Sequence, residues 1–156
     1  MINQIGRCFD PIRKVWVKAT PEEIVRQRLI NMMINQLGFP PSLLSVETDI
    51  SLLPHLITLS SPFPKRRLDL ICYGKNIHPQ YDLYPLLMVE CKATCIKEIA
   101  VRQVIGYNHF VKAYYIALVG NKEIRLGWYD DQKGDYTFID HIPSFEDLCS
   151  VLKGFL

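Results

Sequence analysis

A mixed α/β domain is what this chain predicts: a central sheet flanked by helices, in the order helix, three strands, helix, strand, with a hairpin and a last helix to follow. Three observations carry that reading. Thr20-Pro21-Glu22-Glu23 opens a helix whose apolar residues Ile24, Val25, Leu29, Met32, Met33 and Leu37 recur at helical spacing. Leu86-Leu87-Met88-Val89-Glu90-Cys91-Lys92 is apolar on both faces, as a strand buried at the centre of a sheet must be. Lys65-Arg66-Arg67-Leu68-Asp69-Leu70-Ile71 is a second strand-like run with one acidic residue among hydrophobic neighbours.

Taken in chain order, the first helix has Thr20 as N-cap, Pro21 at its first position and Glu23 placed to complete a capping box, and Gly38-Phe39-Pro40-Pro41 stops it. A strand is expected over 43–50 and a loop over 51–64, where three prolines interrupt any period. The strand carrying Asp69 spans 67–73. Residues 74–85, with Gly, Asn, Asp and two prolines, connect it to the strand over 86–92. Residues 96–112 form an amphipathic helix through Ile99, Val104, Ile105, Tyr107, Phe110 and Val111. A short apolar strand follows over 114–119. Segments 124–129 and 136–139 flank Asp130-Asp131-Gln132-Lys133-Gly134-Asp135 as a hairpin, and Ser144 caps a helix running to about Lys153.

The chain has 156 residues, a single domain whose core lies at about 13–120 and whose hairpin and last helix occupy 121–156. A domain of this size buries roughly 70% of the surface its unfolded chain exposes, so it needs no disulfides. Its five cysteines are odd in number and scattered, without a C-x-x-C, which points to a reducing compartment and away from a zinc site. No apolar stretch approaches the ~20 residues of a membrane span, and the N-terminus lacks the apolar centre of a signal peptide; a soluble cytoplasmic protein is expected. The formal charge is only +2. Positive charge is nevertheless local, with Arg7, Arg13, Lys14 and Lys18 before the first helix and Lys65, Arg66 and Arg67 before Asp69, facing phosphates or merely solvated on loops.

In a strand, alternation puts Glu90 and Lys92 on one face and Val89 and Cys91 on the other. Burying opposite charges is costly, so such a pair is better evidence for a site than for stability, although an ion pair that only ends a strand is the plain alternative. Asp69 followed by Glu90-x-Lys92 is a divalent-metal pattern. The hard oxygens of Asp69 and Glu90, with the backbone carbonyl of Cys91 as a third ligand, suit Mg²⁺ or Mn²⁺. Lys92 stands where an ammonium orients a water and offsets charge on a phosphate. Gln103 and Tyr107, four apart on the second helix, share a face and reach a phosphate or the lysine, or else are a surface and a core residue. Glu23 is explained by its capping box and has a metal or water contact as a further reading. The four histidines show no ligand spacing.

These residues reach a family. The chain resembles the N-terminal nuclease domain of the restriction subunit of type I restriction-modification enzymes, within the PD-(D/E)XK nuclease superfamily. The resemblance runs from Arg13-Lys14-x-Trp16-Val17-x-Ala19-Thr20-Pro21-Glu22-Glu23-x-Val25-Arg26-Gln27, through Gly38-Phe39-Pro40 and Arg67-x-Asp69, to Val89-Glu90-Cys91-Lys92-Ala93 and Gln103-x-x-x-Tyr107-Asn108. It implies a restriction-endonuclease-like PD-(D/E)XK core of order αβββαβ in which Asp69 and Glu90 bind metal, Lys92 assists the nucleophile, and Gln103 and Tyr107 support the phosphate or DNA. Thr94 stands where the family more often has proline. The chain carries no G-x-x-x-x-G-K-[ST] loop and ends at Leu156, so it is expected to lack the ATP-driven motor of such subunits.

The function expected is therefore metal-dependent hydrolysis of DNA phosphodiester bonds, with Asp69, Glu90, Lys92, Gln103, Tyr107 and Glu23 in the site and Arg66 and Arg67 toward nucleic acid. A non-catalytic nucleic-acid-binding or scaffold module with the same fold is the alternative, and RNA a third reading. Other subunits supplying motor or specificity, and a homodimer, are further partners to consider beside DNA.

Overall fold

The computed structural model describes residues 1–154. It is a mixed α/β arrangement of one six-stranded mixed sheet, a separate two-stranded hairpin and three α-helices. The hairpin comes first: β1 (Arg7–Asp10) and β2 (Val15–Lys18) pair antiparallel around a turn in which the Asp10 carboxylate accepts from the backbone N–H groups of Ile12 and Arg13, each at 2.8 Å. Sequence reading missed it, since its eight residues mix charged and apolar side chains without a period of two.

Helix α1 (Pro21–Asn35) starts as expected, with Thr20 Oγ1 accepting from Glu23 N at 3.2 Å. The other half of the capping box does not form. The Thr20 N–H donates to Lys18 O, and the Glu23 carboxylate turns inward instead. After a 3₁₀ turn at Pro41–Leu43 comes β3 (Leu44–Asp49), and β4 (Arg67–Lys75) pairs antiparallel with it. The segment between them is less featureless than its prolines suggest, because Leu53 and Leu56 are buried and close a second 3₁₀ turn, Ile50–Leu52, onto the core.

Strand β5 (Leu83–Cys91) begins three residues before the expected 86, taking in Tyr84 and Pro85. A register shift between Cys72 and Tyr73 makes room for the proline, which cannot donate to a ladder, and its carbonyl accepts from Tyr114 N. Helix α2 (Glu98–Val111) then carries the chain to β6 (Tyr115–Val119), parallel to β5, and β7 (Ile124–Asp130) and β8 (Asp135–Ile139) complete the sheet in chain order from β3 to β8. Both α1 and α2 pack against β5 and β6. Helix α3 (Phe145–Lys153) is capped by Ser144 as predicted, its Oγ accepting from Asp147 N at 3.1 Å. Strands β5 and β6 are buried along almost their whole length, which explains their unbroken apolar character. No helix among the described residues is long and apolar enough to cross a membrane.

At the Tyr84 end of β5, His55 is buried, with one ring nitrogen 2.6 Å from the carbonyl of Val111 and the other without a partner. Burial holds its pKa below the ordinary histidine value despite the opposing Val111 bond. The unfolded chain therefore takes up the proton first as pH falls, so stability present above about pH 6.5 is lost on acidification below it. Urea unfolding at pH 7.5 and 5.5 should show this loss, and His55→Gln, whose amide can still donate to Val111 O, should flatten it.

Candidate active site

The register of the sheet brings the acidic residues together. Leu70 lies opposite Val89, so the next pair along these antiparallel strands is Asp69 and Glu90, whose side chains emerge on the same face. Asp69 is fixed by its neighbour strand: its Oδ2 accepts from Cys91 N at 2.7 Å. Glu90 is buried, its side chain 7% exposed, and meets two cations, with Lys92 Nζ at 3.2 Å and the Arg66 guanidinium on the same oxygen. Burial pushes the Glu90 carboxyl above its usual range, and the charge of Asp69 pushes the same way, more than Arg66 and Lys92 offset. Lys92 itself lies one residue past the end of β5, although its N–H still donates to Val119 O and keeps it on the line of the strand.

Tyr107 joins this group from α2. The Arg66 guanidinium carbon sits 5.1 Å from the centre of its ring, so Arg66 bridges the tyrosine to Glu90. Gln103 is exposed one turn earlier, and its side chain makes no hydrogen bond among the described residues. Arg67 is largely exposed, 3.8 Å from Glu47. Arg66, expected with Arg67 toward nucleic acid, contacts Glu90, more than twenty residues away in sequence. It also lines a groove of about 650 Å³ with Ser60, Ser61, Phe63, Lys65 and Arg67. Neither this groove nor two larger cavities, of about 930 and 910 Å³, is lined by Asp69, Glu90 or Lys92; Arg66 alone joins the groove to Glu90.

Glu23 is the residue whose environment sequence reading least anticipated. Its Oε1 accepts from Arg13 Nη2 and Gln27 Nε2, each at 2.9 Å, and its Oε2 from Arg26 Nη2 at 2.8 Å. Arg26, also buried, reaches onward to Glu47 Oε1 at 3.0 Å and to the backbone carbonyl of Asp69 at 3.3 Å. At the far end Asp10 accepts from Arg13 Nε at 2.6 Å and Gln27 Nε2 at 3.0 Å; burial raises its carboxyl, but these bonds and those of the turn backbone prevail and leave it below the usual range. A polar network thus runs from the β1–β2 turn through α1 to Asp69. Arg26, Gln27, Asp10 and Glu47 were absent from the expected site. The one available signal was Arg-Gln on the helical face of Glu23, at i+3 and i+4.

The model of the family described as the type I restriction enzyme R protein N terminus matches residues 21–143, most of the chain. The chain belongs to that family. No curated protein and no solved structure matches it significantly. The match spans α1 through β8, and so contains Glu23, Asp69, Glu90, Lys92, Gln103 and Tyr107 on one continuous stretch. Membership points to a restriction-related nuclease role.

The donor set can be weighed against a divalent metal. Among the described residues no group of three or more His, Cys, Asp and Glu side chains is arranged to hold an ion. Two carboxylates and a carbonyl nevertheless fit Mg²⁺, which keeps several waters and takes only one or two carboxylates from a protein. Glu90 adds a reason: a buried carboxyl held above its usual range beside Asp69 gains from a further positive charge. The Cys91 thiol is buried and pushed up by that burial, so only its backbone is available as a ligand.

Proposed function

We propose that this member of the family is a metal-dependent nuclease, a PD-(D/E)XK core hydrolysing DNA phosphodiester bonds. The observation that supports it is the pairing of Asp69 and Glu90 on adjacent strands with Lys92 Nζ against Glu90, beside a groove lined by Lys65, Arg66 and Arg67. Asp69, Glu90 and the Cys91 carbonyl would hold Mg²⁺ or Mn²⁺. Bound there, the ion supplies activation of water at neutral pH and neutralisation of the phosphate oxygens.

The chain's own residues do the rest. Lys92 orients the attacking water through its ammonium and places positive charge where the phosphate gains negative charge. Arg66 exchanges its contact with Glu90 for a phosphate oxygen, a planar fork suited to that geometry, while the Tyr107 ring keeps the guanidinium at the mouth of the groove. Gln103, exposed on the same helix face, donates its amide to the strand being held. Lys65 and Arg67 attract the backbone without reading sequence.

The non-catalytic DNA-binding or scaffold module has one observation in its favour: Arg66 and Lys92 already neutralise Glu90, so the buried carboxylate is paired without any metal. Incubating the purified protein with linear, circular, single-stranded and branched DNA, with Mg²⁺, with Mn²⁺ or with a chelator, separates the two. The nuclease reading expects breakage with either metal and none with the chelator. Binding with no breakage of any substrate in either metal would hand the assignment to the non-catalytic module.

A further inference from the structure

Among the described residues four non-glycine positions have left-handed backbone: Lys14, Glu47, Asn76 and Lys112. Three belong to turns or a helix end, where such a conformation is ordinary. Glu47 alone lies inside a strand, at φ +54°, between Val46, paired with Leu70, and Thr48, paired with Leu68. The residue opposite it across the ladder is therefore Asp69. A glutamate gains nothing locally from this conformation, which glycine or asparagine would adopt at lower cost, so the strain must be held by what the side chain does. What it does is accept from Arg26 Nη1 at 3.0 Å.

Arg26 is itself placed at a disadvantage. It is buried, its Nε has no partner, and both terminal nitrogens are committed: Nη2 to Glu23, and Nη1 to Glu47, to the Asp69 carbonyl at 3.3 Å and to the neighbourhood of Asp69 Oδ1 at 3.8 Å. An arginine placed for stability alone would satisfy its buried nitrogen. This one is turned to hold both the backbone and the carboxylate of Asp69, whose other oxygen is already fixed by Cys91 N.

We propose that Arg26 is a positioning residue for Asp69 and that Glu47 is the anchor aiming Arg26 at it. Its purpose rests on the nuclease reading, since an aspartate held at its backbone carbonyl and at one carboxylate oxygen, with Arg26 near the other, is a preorganised ligand; groups that orient a ligand in this way typically change metal affinity or activity by roughly 10–100-fold when lost. Neither residue touches the reacting atoms.

Glu47→Gly is the decisive variant, because glycine tolerates the left-handed backbone while the anchor is lost. Three measurements are made on it and on Arg26→Lys: thermal unfolding, Mn²⁺ affinity by calorimetry, and the shift and exchange rate of the Cys91 amide proton by NMR. In Glu47→Gly the melting temperature should hold or fall slightly, because glycine relieves the strain while Arg26 keeps Glu23 and the Asp69 carbonyl as partners; Mn²⁺ affinity should fall roughly 10-fold, and the Cys91 amide should move upfield and exchange faster as its bond to Asp69 loosens. Arg26→Lys should shift the same amide, since one ammonium cannot span Glu23, Glu47 and Asp69 together. An unchanged Cys91 amide in both variants would overturn the positioning role. Failure of the unaltered chain to bind Mn²⁺ would overturn the nuclease reading instead, with the Cys91 amide still deciding whether Arg26 and Glu47 hold Asp69.

Discussion

Replacing Lys92 by alanine is expected to lower metal-supported DNA cleavage by roughly 10²–10³-fold, the size of loss that follows removal of one preorganised charge-stabilising donor. Asp69→Asn and Glu90→Gln should each reduce it at least as far, because each removes half of the side-chain donor set. Combining them should add little, since residues that serve one displacement fail as a unit. DNA affinity should move differently. Without metal, neutralising either carboxylate removes a negative charge facing phosphate, so binding holds or tightens, whereas Lys92→Ala or joint loss of Arg66 and Arg67 weakens it and flattens its salt dependence. Quantitative cleavage and binding isotherms at several salt concentrations check both halves. Equal DNA binding by all variants, with no cleavage before or after substitution, would favour the non-catalytic module.

Glu23→Ala is the second large effect, and here the cost is in folding. If Glu23 mattered only at the helix start, its loss would resemble that of the cap, where Thr20→Ala should cost about 1 kcal/mol. The structure places its carboxylate among Arg13, Arg26 and Gln27, and removing one partner of a buried ion pair typically costs about 3–5 kcal/mol because the remaining charge is stranded. The two figures differ enough for urea unfolding to separate them. A Glu23→Ala loss no greater than that of Thr20→Ala would mean that solvent reaches Arg26.

What could be read from the sequence was whatever a short stretch dictates by itself. Thr20 and Pro21 fix the start of α1, and an apolar run on both faces places β5 at the centre of the sheet, so Glu90 and Lys92 could be located before any coordinates. Asp69 followed from the same alternation on β4. Contacts made between distant segments were not legible. Glu23 satisfies every local rule for a capping box and yet pairs with Arg13, because the β1–β2 hairpin that presents Arg13 leaves too little pattern to foresee. Nothing near Arg66 in the sequence announces Glu90, which reaches it from another strand. Pro85 read as the end of a loop because proline cannot join a regular ladder, and only the irregular register at Cys72 and Tyr73 admits it. The left-handed backbone of Glu47 has no compositional mark, since glutamate is not a residue that favours it.

Glu47 also affects how this molecule meets others like it. Strand β3 is the outermost strand on one side of the sheet, pairing among the described residues with β4 alone. An edge of this kind offers a row of free amides and carbonyls on which a second chain can add a strand and begin to aggregate. A left-handed residue in the middle of β3 breaks the regular outward alternation of those groups, and its partly exposed carboxylate sets charge beside the gap. The irregularity that aims Arg26 at Asp69 thus also leaves the sheet without a template along that border.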